Sequence, residues 1–187
     1  MKRNNWLALV IACLFTVPII AGTLASITLP DNLDVDGQKL VLNGMALRKK
    51  KVVFKVYVAG LYLPAREKSS EKILAADQIR CTVMHFLRSV DAGAISEAWF
   101  EGLQANTPNH SQELKKQFDT LATLMEDVKE GDKLVFTYRP GKGTEVKVKG
   151  KVKATLPNKT FADALFSCWI GKKPGPGEDF KQGLLGN

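Results

Sequence analysis

The sequence predicts an α+β domain in which helices pack on one face of a large, mainly antiparallel sheet. Three observations predict this class. Extended segments, helical patterns, further extended segments and a last helix follow one another along the chain, which is an order typical of it. Residues 52–63 form a long strand pattern that is apolar on both faces. Two segments in the middle of the chain carry apolar residues at helical spacing.

Residues 1–25 are predicted to be a cleavable signal peptide. A short positive start precedes an uncharged apolar run over 6–20, and Thr23 and Ala25 suit the minus-three and minus-one positions of a signal-peptidase site. The run is shorter than the roughly 20 residues that a spanning helix needs, although a retained membrane anchor stays an alternative. We therefore expect a periplasmic or secreted protein whose residues 26–187 form a single domain.

Charge and composition narrow the range of partners. The formal net charge of +8 favours acidic partners or contact with an anionic membrane surface, without identifying either. His85 and His110 stand alone and no cysteines lie at metal-ligand spacing, so no metal site is predicted. No cofactor or nucleic-acid partner is expected. Cys81 and Cys168 form either a disulfide or two buried thiols, and the sequence leaves both open.

The first half of the domain is predicted to be extended. Short strands are expected at 27–29, 33–35 and 39–42. Asp36-Gly37 predicts a tight turn between the last two. Because the strand pattern over 52–63 is apolar on both faces, this strand should be covered on both sides and should be central in the sheet. A further strand is expected over 78–87.

Two helices are predicted in the middle of the chain. The first ends at Pro108 and buries Ile95, Ala98, Trp99, Gly102 and Leu103. The second begins near Ser111 and ends at Gly131. Its buried stripe consists of Leu114, Phe118, Leu121, Met125 and Val128.

The last part of the chain returns to strands and then to helices. Strands are expected over 133–139 and 144–155, with Gly150 as a bend or bulge in the second. A third helix starts at Asn158, is capped by Gly171, and points Phe161, Leu165, Cys168 and Trp169 inward. A short helix over 178–185 ends the chain.

Two basic segments have competing interpretations. Lys147, Lys149, Lys151 and Lys153 alternate with apolar residues, which is typical of the solvated face of a strand. The alternative is a stripe that binds anionic lipid or polysaccharide. Residues 48–51, with the sequence RKKK, are predicted to form a charged turn before the long apolar strand.

Four segments together resemble one known family. They are LNGMALRKKKVVFKVYVAGLYLP (42–64), IRCTVMHFLR (79–88), AISEAWFEGL (94–103) and FADALFSCWIG (161–171). They are similar to the chalcone-isomerase-like family, and most to its bacterial exported branch. The resemblance implies an open-faced β-sandwich, with a large, mainly antiparallel sheet backed by a layer of helices and a ligand cleft between them.

The resemblance also allows the cleft residues of the plant enzymes to be matched to positions in this sequence. In plant members that cyclise chalcones, the cleft uses an arginine that matches Arg48 here. The strand threonine of those enzymes falls on Tyr57, and the late threonine falls on Cys168. The helical tyrosine and asparagine fall near Ala94 or Ile95 and on Glu101. Only the arginine is retained, so the resemblance implies the fold without implying chalcone cyclisation.

The retained arginine suits another ligand chemistry. Family members that bind fatty acids pair this arginine with a strand tyrosine, which implies that Arg48 and Tyr57 hold a carboxylate. Cys168 and Trp169 are predicted to complete the ligand-binding set. Candidate apolar walls are Phe54, Val83, Phe100, Leu165 and Trp169. His85 is predicted to be a core or rim residue of the strand rather than a proton-transfer group.

Geometry sets a condition on the pair. Arg48 and Tyr57 lie nine residues apart, which on one straight strand would separate them by about 30 Å. They can share a cleft only if the chain bends sharply or bulges around Lys49 to Lys51.

The leading hypothesis is a non-catalytic binder of a small apolar carboxylate such as a fatty acid. The first alternative is an isomerase of the intramolecular lyase type that acts on an unknown enone, with Arg48 as its catalytic group. The second alternative is an envelope interaction protein whose cleft has been filled by its own side chains.

Overall fold

The structure is a computed structural model that describes residues 21–51 and 53–187. Most of the predicted signal peptide lies outside the described residues. Its predicted cleavage site falls at the turn of the first hairpin, where Ala25 and Ser26 join two strands. Among the described residues, no helix is both long and apolar enough to cross a membrane.

The strands form two antiparallel sheets. The small one pairs β1 (Ala21–Leu24) with β2 (Ile27–Pro30). The large one has seven strands in chain order, namely β3 (Asn32–Val35), β4 (Gln38–Lys50), β5 (Phe54–Leu63), β6 (Arg80–Phe86), β7 (Lys133–Arg139), β8 (Gly143–Val148) and β9 (Lys151–Leu156). The predicted α+β class is confirmed, and each strand of the large sheet pairs with its neighbour in sequence.

Five helices accompany the sheets in the described part of the chain. They are α1 (Ser70–Ala75), α2 (Ala92–Asn106), α3 (Gln112–Thr123), α4 (Lys159–Ile170) and α5 (Glu178–Leu185). Ser111 and Asn158 cap α3 and α4, since their side chains accept hydrogen bonds from the backbone N–H groups of Leu114 and Phe161. Both starts agree with the sequence prediction, as does the start of α5 at Glu178.

The long strand β5 of the large sheet is buried on both faces. On one face, Tyr57, Ala59 and Leu61 of β5 pack into a core shared with the helices. On the other, Val58 and Tyr62 pack into a second cluster that the β1–β2 hairpin covers, and the Tyr62 hydroxyl donates to the Pro30 carbonyl at 2.9 Å. The prediction that this strand is covered on both sides is confirmed.

Several boundaries differ from the predictions. Gly150 lies in a hairpin turn with Lys149, both at positive φ, so 144–155 forms two paired strands and not one bent strand. The helix α3 stops at Thr123 instead of Gly131. Beyond it, Val128 stays buried by bridging to Val90. Ala98 of α2 is exposed.

The segment 48–51 is also not a simple turn. Arg48 to Lys50 belong to β4, which is much longer than the predicted strand. The reversal follows immediately, and Lys51 adopts a positive φ of 49°.

Both cysteines of the described chain are buried free thiols. Cys81 lies in the cluster under the β1–β2 hairpin, and Cys168 lies in the core on the helical face. Burial raises the pKa of Cys81 to about 11. Because the sheet separates the two thiols, the structure favours the buried-thiol alternative over the disulfide.

A fully buried arginine joins helices to the sheet at the end away from residue 51. The Arg80 guanidinium donates to the Ile73 carbonyl at 2.9 Å and pairs with Asp163 of α4. It also lies over the rings of Tyr138 and Phe166, at 5.0 and 4.9 Å from their centroids. Removing one partner of such a buried pair would leave an uncompensated charge.

Gly44 allows α5 to lie directly on β4. A Cβ atom at this position would sit 2.2 Å from the Gly183 carbonyl oxygen and 2.7 Å from that of Leu184. The adjacent Asn43 side chain donates to the Leu184 carbonyl at 2.8 Å. The contact therefore tolerates no side chain at residue 44.

We predict that Gly44→Ala lowers the free energy of unfolding by about 1–3 kcal/mol, because the added methyl group overpacks the interface with α5. Urea denaturation measures this change. Gly93→Ala is the matched control, since a Cβ there meets no atom within 4 Å, and it should be neutral or slightly stabilising. Equal stability of the two variants would contradict the close contact.

Candidate functional site

A cavity of about 330 Å³ lies between the sheet and the helices. Strands β4, β5 and β6 form one wall, and α2 and α4 form the other, together with the loop that joins α4 to α5. The apolar lining consists of Val56, Met84, Phe86, Val90, Ile95 and Trp99. The four predicted ligand-binding residues, Arg48, Tyr57, Cys168 and Trp169, all line this cavity.

The pairing of β4 with β5 brings Arg48 to Tyr57. The two residues are direct partners in the antiparallel register, so their side chains lie on the same face. The register shifts just after them, since Lys49 pairs with Lys55 and leaves Val56 as an extra residue of β5. The chain thus makes the sharp reversal that the spacing of Arg48 and Tyr57 requires.

Arg48 is half-buried at the cavity wall. One of its guanidinium N–H groups donates to the Pro176 carbonyl at 2.9 Å and holds the loop between α4 and α5. This is its one hydrogen bond among the described residues. The remaining N–H donors of the planar guanidinium are therefore available to an acceptor in the cavity.

Tyr57 is a buried, neutral donor. Its ring packs against Phe86 and Phe180, with centroids 5.6 and 5.7 Å apart. Burial raises the pKa of Tyr57 to about 12, although the Trp169 indole N–H and the charge of Arg48 act in the opposite direction. The hydroxyl therefore keeps its proton at neutral pH.

Cys168 and Trp169 form the α4 side of the cavity. A Cβ at Gly102 would sit 2.5 Å from the Cys168 sulfur, so this glycine lets α2 approach α4 closely. Burial raises the pKa of Cys168 to about 12, which makes it a neutral thiol. The Trp169 ring meets Trp99 edge-on at 5.2 Å.

The predicted apolar walls other than Trp169 are wrong. Met84 and Phe86 of β6 line the cavity. Because successive residues of a strand point to opposite faces, Val83 faces away from the cavity, into the cluster under the β1–β2 hairpin. Leu165 is fully buried in the core, and neither it nor Phe100 lines the cavity. Phe54 is half exposed at the hairpin tip.

His85 lies outside the cavity lining, on the strand face that also carries Val83. Burial lowers its pKa, and Lys133 lowers it further. His85 is therefore a half-buried residue near the end of the central strand β6, in agreement with the predicted core or rim position.

Opposite charges line opposite walls. Arg48 and Lys50 lie on the β4 side, whereas Glu97 and Glu101 lie on α2, one helical turn apart. Neither glutamate forms an ion pair with another described residue. An anionic group that enters the cavity would be attracted to the strand wall and repelled by the helix wall.

The other basic segment, at the β8–β9 turn, is largely neutralised by nearby carboxylates. Lys149 forms an ion pair with Glu126 at 2.8 Å, and Lys153 pairs with the same carboxylate. These hydrogen bonds lower the pKa of Glu126 to about 2. Lys147 lies 4.0 Å from Glu145, and Lys151 alone of the four lysines forms no ion pair with a described residue.

A second and more open cleft of about 410 Å³ lies at the far end of the sheet. Its charged groups pair with each other, since Asp36 binds Arg139 at 2.9 Å and Lys142 at 3.3 Å. It offers less free charge and less apolar wall than the cavity at Arg48.

A sheet backed by helices, with a cavity between the two layers, defines the class of the protein as an α+β fold with a cleft between sheet and helices. A family model described as chalcone isomerase-like matches residues 21–186, so the chain belongs to the chalcone isomerase-like family. The resemblance stated from the sequence is thereby confirmed at the level of the family.

Solved structures agree with the fold. The chain resembles the crystal structure of a fatty-acid binding protein of Arabidopsis thaliana, with a TM-score of 0.71 and 13% sequence identity, over 89% of this chain and 96% of that one. At this identity the likeness shows the fold alone. The comparison with curated proteins found no match.

We predict that stability falls at alkaline pH partly through Cys168. The thiol has a pKa of about 12 in the folded state against an ordinary value of 9.0. Its contribution is therefore complete below pH 9 and is lost as the pH rises toward 12, because the unfolded chain releases the proton first. The free energy of unfolding from urea titrations should decline more steeply in the wild type than in Cys168→Ala.

Ser167→Ala, at the neighbouring position of α4, is the control and should keep the wild-type slope. An unchanged slope in Cys168→Ala would show that the thiol is not held neutral by burial.

Proposed function

We propose that the protein binds a small apolar molecule that carries a carboxylate, such as a fatty acid, and does not transform it. The observation that carries the proposal is the placement of Arg48 opposite Tyr57 at the wall of an otherwise largely apolar cavity. The Arabidopsis neighbour, described as a fatty-acid binding protein, supports the same class of ligand.

The polar end of the cavity suits a carboxylate. A guanidinium is charged at any working pH and binds both oxygens of a carboxylate through parallel hydrogen bonds. Tyr57 adds a neutral hydroxyl donor, since its pKa is raised to about 12. Glu97 and Glu101, on the opposite wall, disfavour the reversed orientation.

The rest of the cavity suits an apolar tail. Its volume of about 330 Å³ falls within the range of roughly 300–1,000 Å³ that small-molecule sites occupy. The cleft is therefore not filled by the side chains of the protein, which argues against the hypothesis of an interaction protein with a closed cleft.

Export belongs to the same proposal. The N-terminal sequence predicts a signal peptide, and a protein outside the cytoplasm is close to membrane lipids. N-terminal sequencing of the protein recovered from producing cells tests it. A start at Ser26 would support the predicted cleavage, and it would also remove β1 from the first hairpin.

We predict that Arg48→Ala weakens the binding of decanoate about ten- to a hundredfold. Hydrogen bonds to a charged group contribute about 1.5–3 kcal/mol, which corresponds to this range. Isothermal titration calorimetry measures it. The affinity of Arg48→Lys for decanoate should lie between those of the wild type and Arg48→Ala, because lysine keeps the charge and lacks the planar guanidinium fork.

Two controls separate this loss from a structural effect. Arg66→Ala removes an exposed arginine that does not line the cavity and should bind as the wild type does. Decanol should bind wild type and Arg48→Ala equally if the loop at Pro176 stays in place. Equal decanoate affinity in all variants would refute the carboxylate site, and turnover of a chalcone-like enone that Arg48→Ala removes would support the isomerase alternative.

We predict a preference for medium chain length. At about 30 Å³ for each heavy atom, similar to the volume share of a water molecule, the cavity of about 330 Å³ holds an acid of about ten carbons. Affinity should rise about fourfold for each added methylene up to that length and then level off. Titration with acids of increasing length measures this, and a rise that continues to hexadecanoate would show that the cavity extends further.

A further inference from the structure

The tip of the β4–β5 hairpin exposes apolar side chains. Val53 is 71% exposed and Phe54 is 50% exposed. Among the described residues, the one other large hydrophobic side chain with comparable exposure is Val152, at 56%. Two of the three thus lie next to each other at the end of one hairpin, and contiguous exposed apolar side chains rimmed by polar residues are typical of an interaction surface.

Cations surround these apolar residues. Lys49, Lys51 and Lys55 are exposed, and Arg88 lies over the Phe54 ring at 5.5 Å from its centroid. No aspartate or glutamate occurs between residues 37 and 66. The hairpin therefore carries its positive charge without acidic residues of its own.

The charges are arranged at a cost to the isolated domain. Lys49 and Lys55 are direct partners in the antiparallel register. Like charges directly opposite each other destabilise a strand pair. The Lys149 and Lys153 cations, by contrast, share the Glu126 carboxylate. Lys49, Lys51, Lys55 and Arg88 form no ion pair with another described residue, so the hairpin tip presents unneutralised cations around an apolar apex.

We propose that this hairpin tip, formed by Lys49, Lys51, Val53, Phe54, Lys55 and Arg88, docks on an anionic lipid bilayer. The cations meet the phosphate headgroups, and the two apolar side chains enter the boundary between headgroups and acyl chains. An apolar apex ringed by cations is complementary to such a surface, which offers negative charge outside and hydrocarbon beneath.

Docking has a consequence for the cavity. Arg48 and Lys50 belong to the same hairpin and line the cavity wall, so the bilayer would lie beside the cavity and its ligands could exchange with it. This consequence rests on the proposed function. The docking does not, because the cations and the apolar apex attract a bilayer whether or not the cavity binds an acid.

Vesicle co-sedimentation of the full chain tests the docking. Two kinds of vesicle are compared. One contains phosphatidylcholine with about 30% phosphatidylglycerol, which is anionic, and the other contains phosphatidylcholine alone. The neutral vesicles measure any binding through the apolar run 6–20. We expect strong, salt-sensitive binding to the anionic vesicles.

The decisive variant is Lys49→Gln with Lys51→Gln, which spares Arg48 and Lys50. Since each lysine near an anionic surface changes partitioning about fivefold, the pair should weaken binding about 25-fold. Lys39→Gln with Lys116→Gln is the matched control, because both lysines are exposed and lie outside the hairpin tip. This control should change binding less than about twofold, because the attraction of a lysine to an anionic surface falls off within a Debye length of that surface.

A third variant tests the apolar contribution. Val53→Ser with Phe54→Ser keeps the charge and should still weaken binding about fivefold or more, because it removes apolar area that enters the bilayer. Equal binding of the hairpin and control variants, or equal binding of the wild type to both vesicle types, would overturn the proposal. Retention on heparin through the same lysines, without binding to anionic vesicles, would overturn it in favour of an acidic polysaccharide.

Discussion

The antiparallel register between β4 and β5 is the constraint on which the site depends. It makes Arg48 and Tyr57 direct partners although nine residues separate them, and it points both toward the helices. Strand β4 also carries Asn43 and Gly44, which hold α5 against the sheet. Arg48 in turn binds the loop at Pro176.

Burial then keeps two groups of the cavity wall, Tyr57 and Cys168, in their neutral form. The cavity keeps Tyr57 and Cys168 protonated, because removing water from a group disfavours its charged form. Arginine is the side chain that resists this effect. The resulting site has a fixed cation at Arg48 beside two neutral groups, and it faces the carboxylates of Glu97 and Glu101 on α2.

The sequence predicts features that depend on local chemistry. Asp36-Gly37, Ser111 and Asn158 each satisfy backbone geometry or hydrogen bonds within a few residues, and the structure confirms all three. Burial of β5 on both faces is likewise predictable, because the residues that point to each face of the strand are largely apolar. The four predicted cavity residues also lie together, which the family pattern indicates and the spacing alone does not.

Features that depend on distant partners are not predictable in this way. Val83 is as apolar as Met84, and only the pairing of β6 decides which of them faces the helices. The extra residue at Val56 arises from a register shift that involves both strands. From the sequence alone, Arg80 would be expected to be exposed like most arginines. Its burial depends on Asp163, some eighty residues later in the chain, which pairs with it. Gly150 forms a turn with Lys149 because β8 and β9 pair antiparallel on either side of it.

The most direct measurement is a crystal structure of the protein with 10-bromodecanoate, in which the bromine marks the end of the tail. The account predicts that the carboxylate lies within hydrogen-bond distance of Arg48 and Tyr57, with the bromine among Ile95, Trp99 and Met84. A carboxylate placed on the α2 side at Glu97, or a bromine signal that occurs only outside the cavity, would contradict it.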